Sequence, residues 1–169
     1  MVRYFLFIAL ISSVMIGCKE TPSEQTAEVG TAEENTFVSK PSVAEQKADL
    51  LAKGFEIFDY VEETTGDTII MQKYFIAFLK KGPNRDQPKA EADSLQALHM
   101  AHLGRMYEEG YADISGPFDD DSDISGITIY NVPTLKMADS LANMDPMVNA
   151  GRLVIEIHPW WAGKGFGLR

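Results

Sequence analysis

The chain has 169 residues, with 15 Lys and Arg against 25 Asp and Glu and a formal net charge of −10. Such acidity repels phosphates, which argues against nucleic acid as a partner and against a basic surface for gripping acidic lipid. Cys18 is the only cysteine, so no intrachain disulfide is possible and the fold must rest on its core.

Arg3 opens a short charged start, Tyr4 to Ile16 is almost wholly apolar, and Gly17 precedes Cys18. An apolar run this short with these flanks predicts a cleaved export signal over residues 1–17 rather than a membrane span. Met15-Ile16-Gly17-Cys18 resembles the lipobox of bacterial lipoproteins, with Met15 where leucine is usual, which makes Cys18 the expected lipidation site. Membrane attachment is then through lipid on Cys18, and firm anchoring needs the several chains of a lipoprotein. That Lys19 rather than an aspartate follows Cys18 resembles lipoproteins sorted to an outer membrane, so the expected place is the bacterial cell envelope. Residues 18–41 are rich in Glu, Thr, Ser and Ala. They predict a flexible tether with a reach on the order of 25 Å.

Residues 42–72 read as an N-terminal helix and hairpin extension. Ser42 and Glu45 have the spacing of a capping box, and Gly54 follows Leu50-Leu51 where a helix would end. Phe55 to Val61 and Thr68 to Met71 are β-prone runs around a turn that holds Gly66. Tyr74 to Leu79 is continuously apolar, which predicts a central strand buried on both faces. A helix follows from about Lys89 to Glu109, with Leu95, Leu98, His99, His102 and Met106 on one stripe.

Tyr111 to Phe118 predicts a second strand, interrupted at Gly116-Pro117, and Gly126 to Val132 a third with clear alternation. A helix from Thr134 to Asn143 leads to the Asp145-Pro146 turn, after which Leu153, Ile155 and Ile157 alternate along a fourth strand. The resulting β-α-β-β-α-β order matches a ferredoxin-like split βαβ unit, an α+β fold with two helices on one face of a sheet. Its other face needs cover where strands are apolar on both sides, and a second copy would supply it. Residues 162–169 read as a Gly-rich tail.

His99-Met100-Ala101-His102-Leu103, Glu109-Gly110, Gly116-Pro117 and Asp145-Pro146-Met147-Val148-Asn149-Ala150-Gly151 together resemble the YCII-related (YciI-like) domain family, over about residues 73–161. The resemblance implies a ferredoxin-like βαββαβ domain of the dimeric α/β-barrel type, here with an N-terminal hairpin extension, and a homodimer. It implies a catalytic His99 paired with Asp145, with Gly116 and Pro117 at the pocket edge. A carboxylate beside an imidazole fixes one tautomer and stabilises the cation, so His99 would move a proton. Ser115 beside that edge would bring a hydroxyl to the substrate, and His102 on the same helix would add a ligand contact.

The expected function is a lipid-anchored protein using a His–Asp pair for proton transfer or elimination on a small organic molecule, with lyase or dehydrochlorinase-like activity. The alternative is a non-catalytic small-molecule-binding or envelope-interaction module with the same fold. Other readings attach to the same residues. His99 reads also as a satisfied helix histidine, and Asp145 as an N-cap with Pro146 at the first helical position. His99 and His102 share a helix face suited to a metal, yet no third ligand has a recognisable spacing, so neither metal nor cofactor is expected. Asp119, Asp120, Asp121 and Asp123 lack the glycine and terminal glutamate of an EF-hand and read as a solvated turn. Trp160 and Trp161 read as closing the core or a dimer seam, with substrate stacking as the rival.

Overall fold

The computed structural model describes residues 40–168. The export signal, Cys18 and nearly all of the tether lie outside them. Among the described residues no helix is long and apolar enough to cross a membrane.

The first helix, α1 (Val43–Ala52), begins where the capping box places it. The Ser42 amide donates to Glu45 Oε2 at 2.8 Å and the Glu45 amide to Ser42 Oγ at 3.3 Å, so two otherwise unpaired donors satisfy each other's residues. Strands β1 (Ile57–Val61) and β2 (Thr68–Lys81) form the hairpin. Lys47 on α1 reaches Asp59 on β1 at 2.6 Å, which seats the helix against this end of the sheet.

β2 organises the molecule. It runs unbroken through 14 residues, joining the second hairpin run to the apolar core run. Gln72-Lys73 between them contains no turn-forming residue. Gln72 instead is fully buried and donates to Asn131 Oδ1 at 2.6 Å, so a polar position is carried inside the strand. The remaining elements are α2 (Lys89–Glu108), β3 (Ala112–Pro117), β4 (Ile124–Tyr130), α3 (Leu135–Ala142), α4 (Pro146–Asn149) and β5 (Leu153–Gly163). β1 pairs with Thr68–Gln72 and β4 with Phe75–Lys80, end to end on one side of β2, while β5 pairs along the other side from Met71 to Lys81. β3 pairs with β4, and all these pairings are antiparallel.

These pairings correct the expected fold class, a ferredoxin-like βαββαβ unit of the dimeric α/β-barrel type behind a separate hairpin. The fold is α+β, but β1 is built into one five-stranded sheet, and that sheet stays open. β3 pairs only with β4, and β5 only with β2, so the outer strands never meet and no barrel closes. The physical reason lies in the pairing of β2, whose length takes β1 and β4 end to end on one side while β5 fills the other, which places β3 and β5 on opposite sides of it. A short extra helix, α4, also separates α3 from β5.

One face of the sheet carries Phe75, Ala77 and Tyr130, which pack with Met106 of α2 and Ala138 and Ala142 of α3 as the main core. A smaller cluster of Leu79, Met147 and Leu153 ties α4 to the end of β2 and β5. Alternation along β2 puts Ile76 and Phe78 on the opposite face, where both are only partly covered.

Candidate functional site

α2 presents two overlapping faces. Positions 102 and 106 turn inward, and both His102 and Met106 are buried. Gln96, Met100, Leu103 and Tyr107 recur at helical spacing on the neighbouring face and line a cavity of about 780 Å³. His99 belongs to both faces: it is 8 % exposed and lines the cavity.

Asp145 reaches His99 from the start of α4. It is the helix N-cap, with Oδ1 accepting from the Met147 amide at 2.8 Å and Pro146 at the first helical position. Its Oδ2 accepts from His99 Nδ1 at 2.5 Å. The carboxylate is 2 % exposed, so its charge is answered by these two bonds rather than by water. The capping and orienting readings therefore coexist on separate oxygens. With Nδ1 committed as the donor, His99 presents Nε2 as an acceptor, and that nitrogen has no protein partner among the described residues. Tyr130 stands near enough to respond: burial pushes its phenol above the ordinary range, and the Asp145 charge adds to the effect.

β3 supplies the opposite wall. Ser115, Gly116 and Pro117 all line the cavity, beside Ile127 of β4. The Ser115 hydroxyl lies 3.0 Å from that of Thr128, so it is already engaged within the sheet. Leu79, Met147 and Leu153 close the end nearest the smaller core cluster.

His102 does not line the cavity. It is 4 % exposed, and Arg105 Nη2 donates to its Nδ1 at 3.2 Å, which leaves the hydrogen on Nε2. Nε2 is buried without a partner among the described residues. Burial pushes this imidazole below its ordinary value, against the pull of Asp145. His102 is thus a neutral core histidine, and no three His, Cys, Asp or Glu among the described residues gather as a metal-holding group. Trp160 and Trp161 stand 42 % and 38 % exposed at the end of β5, outside the cavity and outside the core. Trp161 packs edge-on against Phe58, and Lys73 lies over its ring.

The sequence reading missed Arg85, Gln96, Tyr107 and Asp113, all of which line the cavity. The spacing of Gln96, Met100, Leu103 and Tyr107 is a signal that was present. Arg85 and Asp113 sit on a loop and at a strand start, where no local pattern marks them.

A helical layer on one face of an open antiparallel sheet, with a buried His–Asp pair bordering a largely apolar cavity, defines an α+β protein. The YCII-related domain family matches residues 74–161, and the chain belongs to that family. Among solved structures, 52 % of the chain is similar to 92 % of the 5-chloro-2-hydroxyhydroquinone dehydrochlorinase of Burkholderia phenoliruptrix in complex with 2,5-dihydroxybenzoquinone, at 21 % identity and a TM-score of 0.39. At that distance the likeness transfers no residue role and no substrate. No curated protein matches the chain.

Proposed function

We propose that this YCII-family protein is an enzyme in which His99, held by Asp145, moves a proton on a small organic molecule bound between α2 and β3. The observation that carries this reading is the 2.5 Å bond from His99 Nδ1 to a carboxylate buried to 2 % exposure, on a ring that also borders the cavity. A histidine needed only for packing requires neither a buried carboxylate nor an open side.

The reaction class supported is proton transfer or elimination, of the lyase or dehydrochlorinase kind. His99 Nε2 takes a proton from the substrate, and the bonding pair left behind forms a new double bond while the leaving group departs with its own pair. Asp145 stabilises the imidazolium in the interval, and the proton then returns to solvent or to the product. No electron acceptor enters this balance. The experiment is to incubate the purified protein with pools of small molecules carrying a leaving group β to an acidic proton. Products lighter by the elements of HX, absent with His99→Gln, are the expected result. Compounds that raise the melting temperature without turnover, equally in wild type and His99→Gln, would instead make this a binding module.

We also propose that Cys18 carries a lipid that holds the domain at the bacterial envelope, and that two copies pair through the open sheet face. The first rests on a single cysteine at the end of an apolar segment. The second is supported by Val154, 46 % exposed opposite Lys80, on the same face as the partly covered Ile76 and Phe78.

A further inference from the structure

Among the described residues, Arg85 is the only lysine or arginine bordering the cavity. Its position is set by a loop fastened to the α4–β5 turn: the Gly82 amide donates to the Arg152 carbonyl at 2.8 Å and the Asn84 amide to the Gly151 carbonyl at 3.0 Å. The two segments approach so closely that a Cβ on Gly82 would lie 2.2 Å from the Gly151 oxygen. Arg85 itself donates from Nη1 to the Arg152 carbonyl at 3.1 Å. That bond uses one of five N–H groups and leaves the rest of the fork unspent. Among the described residues no carboxylate forms a salt bridge with it, in a chain where acids outnumber bases by 25 to 15.

The cavity has a direction. From Gln96 to Tyr107 its helical wall extends about 16 Å at the rise of an α-helix. Leu153, paired with Lys81 at the end of β2, lies at the Arg85 end, whereas Ala112 and Asp113 lie at the level of Tyr130 and Phe75. Asp113 borders that far end, but its carboxylate accepts from Asn131 Nδ2 at 3.1 Å and acts on Tyr74, on the Gln72 and Tyr74 side of the sheet, away from α2. His99, one turn beyond Gln96, is closer to the Arg85 end. Beyond His99 the helical wall is apolar, formed by Met100 and Leu103.

We propose that this cavity takes a small organic monocarboxylate, with its carboxylate on the Arg85 guanidinium and its apolar body running along Met100 and Leu103 toward Tyr107. This rests on the reading of the cavity as a small-molecule site and adds the class of molecule. A planar guanidinium matches a carboxylate with two parallel bonds, which a neutral amide cannot reproduce. A second anionic group at the far end would meet apolar side chains and no lysine or arginine among the described residues, so dicarboxylates of similar length bind more weakly, while a neutral end is accepted. Bound this way, the carbons next to the carboxylate lie beside the His99 ring.

The test uses the detergent-solubilised full chain with 13C-labelled methionine methyls, read by NMR. Met100 and Met147 border the cavity, and buried Met106 serves as a reference. The probes are octanoate and 3-phenylpropanoate, their neutral amides, and octanedioate. Octanoate and 3-phenylpropanoate should shift Met100 and Met147 saturably, with the amides and the dianion about tenfold weaker or more. Arg85→Gln should bring the carboxylates down to the level of the amides, and Arg85→Lys should restore part of the preference. His99→Gln should keep the preference. Equal binding of acid and amide by wild type, no shift of the two methyls by either monocarboxylate, or a preference that survives Arg85→Gln would overturn the proposal. The wild-type comparison needs no variant to fold. Arg85-dependent binding, with no elimination product from carboxylates that carry a leaving group β to an acidic proton, would sink only the catalytic reading, whereas such elimination without a carboxylate preference would sink only this one.

Discussion

Asp145 serves two elements with two oxygens, and its substitutions separate the roles. Asp145→Asn keeps an oxygen for the Met147 amide but removes the charge facing His99. Stability measured by urea unfolding should change by less than about 1 kcal/mol, since asparagine caps as well as aspartate. Turnover should fall by roughly 10²–10⁴-fold, the range general-base assistance supplies. Asp145→Ala should lose about 1 kcal/mol for the cap and about 1–3 kcal/mol more for the unpaired imidazole N–H. His102 yields a pH prediction with a definite sign. Burial is the main reason its imidazole lies below the ordinary value of 6.5, with Asp145 opposing and Arg105 and His99 adding to the depression. Below that value the unfolded chain takes up a proton that the folded chain refuses, so stability falls as the pH drops. Urea unfolding at about pH 7 and about pH 5 should show a smaller loss in His102→Gln than in wild type. An identical loss in both would assign the acid sensitivity elsewhere.

At the scale of the element, α2 carries a glycine with no structural demand on it. Gly104 lies within the helix, borders the cavity, and would place a Cβ with nothing within 4 Å. Gly104→Ala should stabilise the protein by about 0.5–1 kcal/mol, since glycine is a poor helix former, and raise Tm by a few degrees. The added methyl narrows the cavity, so ligand affinity should fall as Tm rises. Gly82 is the opposite case. Its missing Cβ is what lets the loop after β2 close onto Gly151, and Gly82→Ala should cost about 1–3 kcal/mol in urea unfolding as the backbone yields. That loop carries Arg85, so the same variant should blur the cavity's charged end.

For the whole molecule, the open sheet leaves one face of β2 and β5 under-covered. If two copies meet there, burying about 1,600 Å² in total would be ordinary for a stable pair. Sedimentation of the full chain in detergent should give a dimer, and Phe78→Asp should give a monomer with an unchanged circular-dichroism spectrum. A wild-type monomer at micromolar concentration would overturn the pairing. Export and anchoring belong to this scale too. Expressed in a bacterium, the chain should incorporate labelled fatty acid and fractionate with membranes, and Cys18→Ser should do neither.

What was legible in the sequence was local. The Ser42–Glu45 capping box, the span of α2, the alternation of β5 and the Asp145-Pro146 helix start each depend on residues within a few positions of one another, and each forms where its pattern predicts. His99 and Asp145 were marked by motif, not by physics, because nothing in their 46-residue separation says that they touch. The long-range decisions were made by tertiary structure. Gln72 sits inside one continuous strand because Asn131, 59 residues away, answers its amide. β1 joins the main sheet, and β3 and β5 stay apart, because β2 is long enough to pair with three strands at once. His102 shared the predicted stripe with His99, yet a modest difference in rotation about α2 sends one ring into the core and leaves the other bordering the cavity. Sequence patterning determined which segments are helices and strands, since propensity and caps act between neighbours. Burial and pairing, which need the whole chain in place, decided which polar groups are silent in the core and which border the cavity.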